Sequence, residues 1–176
     1  MLIHALPFIA SFFYTFAYRQ KAGKACALLS IFGSLTYVIY NYVIDAHVAF
    51  LIGPLGIFYI LSTLYFTEHS IKIGVAYLLS VLIVSVLSFL NLWDALPFFA
   101  TLFSTISLNF QKSEFKRKSL GIVSCSFWLV YAVFVDACGM VFTTSIFIIS
   151  TAQSLKFVLL EHLKNKRALH GKEVRV

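Results

Sequence analysis

The sequence predicts an all-α membrane protein of seven transmembrane helices, arranged as 3+1+3: two parallel three-helix bundles joined by one linking helix. Three observations carry that prediction. Of the 176 residues, 60% are hydrophobic and only 12% charged, too few charges to coat a folded surface in water. Three long runs each hold a single formal charge, an aspartate. And the first apolar segment recurs in the second half of the chain.

Residues 1–18 are apolar and are followed by Arg19, Lys21 and Lys24. Between Ala25 and Thr67 the only charge is Asp45, between Ile73 and Phe110 only Asp94, and between Ser119 and Leu155 only Asp136. Each run is about 40 residues, twice what a helix needs to cross a hydrocarbon core roughly 30 Å thick. Each is therefore expected to form a helical hairpin with its aspartate near the tip. The spans fall at 1–18, 25–44, 48–66, 73–91, 95–110, 119–135 and 139–159. Helices are expected because lipid offers no partner to a free backbone amide.

Lys and Arg placement sets the orientation, since basic short loops stay in the cytoplasm. The 14 basic residues follow span 1, span 3 and span 5 or lie at the C-terminal end, while Asp45, Asp94 and Asp136 occupy the opposite side. The expected topology is multi-pass, with the N-terminus outside and the C-terminus cytoplasmic. Residues 1–18 lack the basic start and small-residue cleavage site of a secretory signal, so span 1 is expected to persist. The net charge of +7 is then accounted for by loops facing anionic headgroups, with no nucleic acid partner. Cys26, Cys125 and Cys138 are placed too far apart to pair. His4, His47, His69, His162 and His170 read as interfacial or solvated residues. No metal-ligand spacing, phosphate loop or nucleophile motif is present, so neither an enzyme nor a cofactor is expected.

At an offset of 90, Ala5 to Thr15 aligns with Ala95 to Thr105 with seven of eleven positions identical, including Pro7 with Pro97 and Ala10 with Ala100. A one-residue slip then aligns Tyr37-Val38-Ile39-Tyr40 with Trp128-Leu129-Val130-Tyr131, and Asp45-Ala46 with Asp136-Ala137. Two three-helix units are expected, 1–70 and 94–160, with a linker helix in 71–93 and a basic cytoplasmic tail in 161–176. The single intervening crossing makes the units parallel, related by an axis along the membrane normal.

This plan resembles the SWEET and PQ-loop transporters, which are built from parallel repeats. Trp128-Leu129-Val130-Tyr131-Ala132 is similar to the W-L-I-Y-G stretch of SWEET and SemiSWEET units, and Tyr37-Val38-Ile39-Tyr40-Asn41 is its counterpart. The Pro-Gln dipeptide is absent, and Gly53 and Thr144 stand where those carriers place an asparagine, so the resemblance implies a fold and not sugar recognition. Trp128 to Lys166 more closely resembles the YgjV-like family of bacterial inner-membrane proteins, echoed by Val38-Ile39-Tyr40-Asn41; that resemblance implies the fold and a location in a cell inner membrane without naming a substrate.

Polar residues within spans tend to face the bundle interior. In the first unit these are Tyr14, Thr15, Ser34, Thr36, Tyr37, Tyr40 and Asn41. In the second they are Ser104, Thr105, Ser107, Ser124, Ser126, Trp128, Tyr131, Thr143, Thr144, Ser150, Thr151 and Gln153. Many such hydroxyls merely bond their own helix or let helices approach. Tyr37 and Trp128 stand out because they recur at equivalent positions. Pro7 and Pro97 are expected in harmless first turns, and Pro54 within a span.

The leading expectation is a carrier of a small solute that works by alternating access. Its substrate site would comprise Tyr37 and Trp128 facing each other across a cavity, Gly53 and Thr144 on adjoining helices, and Tyr40, Asn41 and Tyr131 one turn outward. The alternative is a non-transporting assembly or regulatory protein of the inner membrane, whose polar groups would scatter among helix contacts. The remaining expected partners are the lipid bilayer and the solute, with homo-oligomerisation left open.

Overall fold

The computed structural model describes residues 2–19, 24–66, 70–109 and 113–173. They form seven α-helices and no strand among the described residues: α1 (Leu6–Arg19), α2 (Lys24–Val43), α3 (His47–Tyr65), α4 (Ser70–Leu87), α5 (Leu96–Asn109), α6 (Glu114–Phe134) and α7 (Cys138–Glu173). Short 3-10 helices, Leu2–Ala5 and Leu92–Ala95, lead into α1 and α5. Of the seven, α2, α3 and the Cys138–Leu160 part of α7 are long and apolar enough to cross a membrane. The side chains of His4, Arg19, Lys21, His69 and Lys112, and of every basic residue after position 160, lie outside the described residues, so the expected basic tail is untouched beyond its helical backbone.

Consecutive helices pack on one another from α1 to α7, and α7 returns to pack on α1, closing a ring. The α4 helix packs on both α3 and α5, which touch each other only slightly. The outward side chains are apolar: Phe32, Leu35 and Ile39 on α2, Phe58 on α3, Ile83 and Val86 on α4, and Phe142, Ile146 and Ile149 on α7 are all exposed. Such a continuous apolar exterior is what a hydrocarbon solvent requires.

The α2–α3 and α6–α7 turns have the same construction. Ala46 N–H donates to the Asn41 carbonyl and Asp45 N–H to that of Tyr42; Ala137 N–H donates to the Ala132 carbonyl and Asp136 N–H to that of Val133. This 6→1 and 5→2 pair is the Schellman helix stop. The position it drives into the left-handed region holds Asp45 (φ 61°) and Asp136 (φ 52°), where glycine is usual and aspartate is one of the few alternatives. Both aspartates are exposed, and His47 Nε2 stands 3.2 Å from Asp45. The third aspartate acts differently: Asp94 Oδ2 accepts from the amides of Leu90 and Asn91, capping the 3-10 turn.

Several boundaries differ from the sequence expectation: α1 begins at Leu6 after a 3-10 turn rather than at residue 1, α4 begins at Ser70 rather than 73, and three others have a visible cause. The α4 helix stops at Leu87 rather than 91, because Asn91 is extended and Asp94 captures the amides that would have continued it. The α6 helix begins at Glu114 rather than 119, so Lys116, Arg117 and Lys118 belong to a helix and not to a loop; the Glu114 to Lys118 ion pair at i,i+4 supports that first turn. The α7 helix continues past 159 to Glu173 through a stretch rich in Leu, Lys and Glu, all strong helix formers. Pro7 and Pro97 are the second residues of α1 and α5, where their missing amide is one of the helix's free donors anyway.

Replacing Asp136 by Val should lower stability by about 1 to 2 kcal/mol, the cost of holding a branched L-residue in the left-handed region. Asp136→Gly should match or exceed the parent. Thermal unfolding of the purified protein in detergent measures both.

Candidate functional site

The aspartate-bearing end of the bundle is closed by two tyrosines placed reciprocally. Tyr40 of α2 packs in a cluster with Ala132 of α6 and with Ala137 and Met140 at the start of α7. Tyr131 of α6 packs with Ala46 and Ala49 at the start of α3, and its hydroxyl meets the Ala49 backbone. They are 2% and 1% exposed. Small residues at both turns make the two seats: alanine leaves the volume that a phenol ring fills. Trp128 borders both clusters, makes an edge contact with Tyr131 at 6.1 Å, and shares the Tyr40 cluster with Tyr37. Beside them Asn41 is buried, and its Oδ1 has no hydrogen-bond partner.

Deeper in the bundle, hydroxyl groups converge from several helices. Tyr14 of α1 bonds Ser34 of α2 at 2.7 Å. Tyr37 of α2 meets Ser11 of α1 at 3.4 Å and Thr143 of α7 at 3.3 Å, with Thr144 also within its reach. Tyr14 and Tyr37 lie 5.9 Å apart, centroid to centroid, and Cys125 of α6 is within electrostatic range of both. On the α4 side, Tyr77 meets the Thr101 side chain of α5 and stacks on Tyr59 of α3 at 4.6 Å. None of these side chains carries a formal charge.

Close helix approach makes this convergence possible. Ala10 and Ala100 are both fully buried. A side chain at Gly33 would meet the Tyr14 ring at 3.0 Å and the Ala10 carbonyl at 3.3 Å; at the matching crossing Ser124 Oγ donates to the Ala100 carbonyl at 2.7 Å. Gly53 is the seat of the Val38 methyl, with which an added Cβ would collide. Gly56 and Gly74 face the hydroxyls of Tyr77 and Tyr59 respectively.

Of the sequence-predicted site residues, the structure thus gathers Tyr37, Tyr40, Trp128 and Tyr131 around adjoining clusters. It sets Thr144 beside Tyr37, buries Asn41, and places Gly53 against Val38. Tyr37 and Trp128 both pack against the same buried cluster of Tyr40, Ala132, Ala137 and Met140. Thr36 and Ser126 bond their own helix carbonyls, and Ser104, Ser150 and Gln153 are exposed. Sequence reasoning missed Tyr59, Tyr77 and Thr101. Their signal was the spacing Gly-x-x-Tyr, present at Gly56 to Tyr59 and again at Gly74 to Tyr77.

It also missed Lys118. Its side chain is buried between α6 and α7, bonded to Glu114 and, at 2.6 Å, to Ser154 Oγ. A separate open cleft of about 430 Å³ lies between α4 and α5, lined by apolar side chains and Ser85. Among the described residues no group of His, Cys, Asp or Glu has the arrangement to hold a metal ion. Comparison with protein-family models, with characterised proteins and with solved structures gives no match to this chain.

Two outcomes follow from this geometry. Truncating Tyr40 or Tyr131 to Ala should cost about 3 to 5 kcal/mol each in an unfolding measurement, as for other buried aromatics. The hydrogen bond from Lys118 holds the Glu114 carboxyl below the usual carboxylate range. A lowered folded pKa contributes stability that is fully present above the unfolded value of about 4.3 and lost as the pH falls through the depressed one. Glu114→Gln should therefore melt lower than the parent at neutral pH and converge with it in acid.

Proposed function

We propose that this protein is a carrier for a small, uncharged solute, spanning the inner membrane seven times as two parallel three-helix units, α1–α3 and α5–α7, linked by α4. The observation that carries this is the meeting of hydroxyl groups from both units at the interior, above all Tyr37 of α2 with Thr143 of α7. A polar centre is costly within a hydrocarbon slab and so marks function by default.

Several features support the two-unit plan. The segments Leu2–Ala5 with Leu6–Arg19 and Leu92–Ala95 with Leu96–Asn109 have the same lengths at an offset of 90. Each pair covers roughly 29 Å of rise, close to the hydrocarbon thickness. The two Schellman turns share donor, acceptor and left-handed aspartate. The contacts of α1 with α7 and of α3 with α5 exchange under a two-fold axis. So do the seats of Tyr40 and Tyr131. On this plan the resemblance to YgjV-like proteins and, more distantly, to SWEET carriers is one of architecture.

In the mechanism we infer, the two units rock about the central polar cluster. The tyrosine pair and Trp128 form the outer gate, closed in this conformation, and Asn41 Oδ1 supplies an acceptor to a solute donor when the gate parts. Uncharged walls favour an uncharged solute, because an isolated charge would have no counter-charge in a low-dielectric site. One set of contacts favours the non-transporting alternative: Ser30, Thr36, Ser80, Ser126 and Ser145 each donate to their own helix, as in a bundle that only packs.

Uptake by reconstituted vesicles across a panel of neutral solutes separates the two. Trp128→Ala should reduce uptake of the transported solute at least tenfold while protein abundance falls far less; uptake by no vesicle, for any solute, would favour the packing subunit. Orientation is read separately. In intact cells expressing a chain with Cys26, Cys125 and Cys138 each replaced by Ser, a membrane-impermeant thiol reagent should reach Asp136→Cys and not Lys116→Cys, and the reverse pattern would invert the topology.

A further inference from the structure

We propose that Ser11, Tyr37 and Thr143 form a latch that holds the α1–α7 seam shut on the aspartate-bearing side, and that this latch must break for the central cluster to be reached from that side. The inference rests on the two-unit carrier function above and specifies which contact opens.

The hydroxyl protons can be placed from the distances. Thr143 has one proton, and its Oγ1 lies 2.9 Å from the Gly139 carbonyl one turn back. Toward Tyr37 it therefore presents a lone pair, and the Tyr37 hydroxyl donates to it at 3.3 Å. With its proton so committed, Tyr37 accepts from Ser11 at 3.4 Å. The relay runs Ser11 to Tyr37 to Thr143 to Gly139 and ties α1 and α2 to α7. Both inter-helix contacts are longer than the roughly 2.5–3.0 Å usual between hydroxyl groups, hence weak, which suits a contact that must be released rather than a permanent brace.

The position also suits a latch. Tyr37 lies six residues from the end of α2 and Thr143 five from the start of α7, about 8 to 9 Å below the aspartate turns, just beneath the Tyr40 and Tyr131 seats. At the equivalent place in the other seam the composition is different. The counterpart of Thr143 is Ile52, packed with Val48 and with Val81 of α4 in an apolar cluster. At that level the seam, where α4 fills between α3 and α5, is filled by close-packed apolar side chains, and its polar contact, Tyr77 of α4 with Thr101 of α5, lies a turn deeper. Opening is therefore expected at α1–α7, with α3, α4 and α5 as the fixed side.

Cys125 is a native reporter: half-buried on α6 nine residues before that helix ends, it lies deeper than Tyr37 and within electrostatic range of Tyr37 and Tyr14. The test uses intact cells expressing the full chain with Cys26→Ser and Cys138→Ser, which leaves Cys125 as the single thiol, and a membrane-impermeant maleimide added outside. Tyr37→Phe and Thr143→Val should each label Cys125 up to about tenfold faster than the parent, the factor a lost hydrogen bond is worth. Thr143→Ser, which keeps the hydroxyl, should label at the parent rate. Equal rates in parent, Tyr37→Phe and Thr143→Val would overturn the latch, as would acceleration seen only in inverted vesicles or equal acceleration by Thr143→Ser, the mark of general loosening. Should one variant fail to fold, the other still decides. Faster labelling together with no uptake of any solute would keep the latch and remove the carrier function.

Discussion

In the membrane reading proposed above the solvent cannot form hydrogen bonds, and much of this bundle follows from that constraint. In hydrocarbon a free hydroxyl or amide has no outside partner, so nearly all find one within the protein, Asn41 Oδ1 and Ser85 Oγ standing as exceptions. The exterior of α2, α3, α4 and α7 is accordingly Phe, Leu, Ile and Val, and the hydroxyls of Tyr14, Ser34, Tyr37 and Thr143 are turned to one another. Some serines and threonines meet the demand locally through their own helix carbonyls. The difference matters, because a local bond holds no helix to another, whereas the Tyr37 and Thr143 bond joins two distant parts of the chain.

Hydrophobic burial cannot drive helices together in lipid as it does in water, so close packing must do so. Ala10, Gly33, Ala100 and Ser124 at the α1–α2 and α5–α6 crossings remove bulk where backbones approach. Ala46, Ala49 and Ala137 do the same for the tyrosine rings. Gly56 and Gly74 leave room for the Tyr59 and Tyr77 stack. At Gly33, at the alanine seats and at the Gly56 and Gly74 pair, a small residue on one helix is matched by a large aromatic on its neighbour; at Ala100 the partner is the small Ser124. In the carrier mechanism proposed above, the same pairing gives a gate that closes tightly yet rests on few polar bonds.

The segregation of charge was legible in the sequence because it depends only on order along the chain: the bases at one set of helix ends and Asp45, Asp94 and Asp136 at the other. The turns were partly legible. An Asp-Ala pair after an apolar run marked both tips, but the left-handed backbone at Asp45 and Asp136 emerged only from the hydrogen bonds that close the Schellman stop. Lys118 shows the limit. In the basic cluster near position 115 nothing in the sequence marks Lys118 for burial, because burial depends on the rotation of α6 against α7 that brings Ser154 opposite.

The sequence by itself determined that the chain is helical, that its apolar runs suit a membrane, and that Tyr37, Tyr40, Trp128 and Tyr131 occupy corresponding places in two similar segments. Composition and periodicity are properties of neighbouring residues and survive any arrangement of the helices. Only the tertiary structure decided that Tyr40 rests on the turn before α7 and Tyr131 on the turn before α3, that Tyr37 meets Thr143, and that Gly53 faces Val38. Those partners lie up to 106 positions apart. They are set by helix rotation and crossing, which sum many weak contacts that no single stretch of sequence contains.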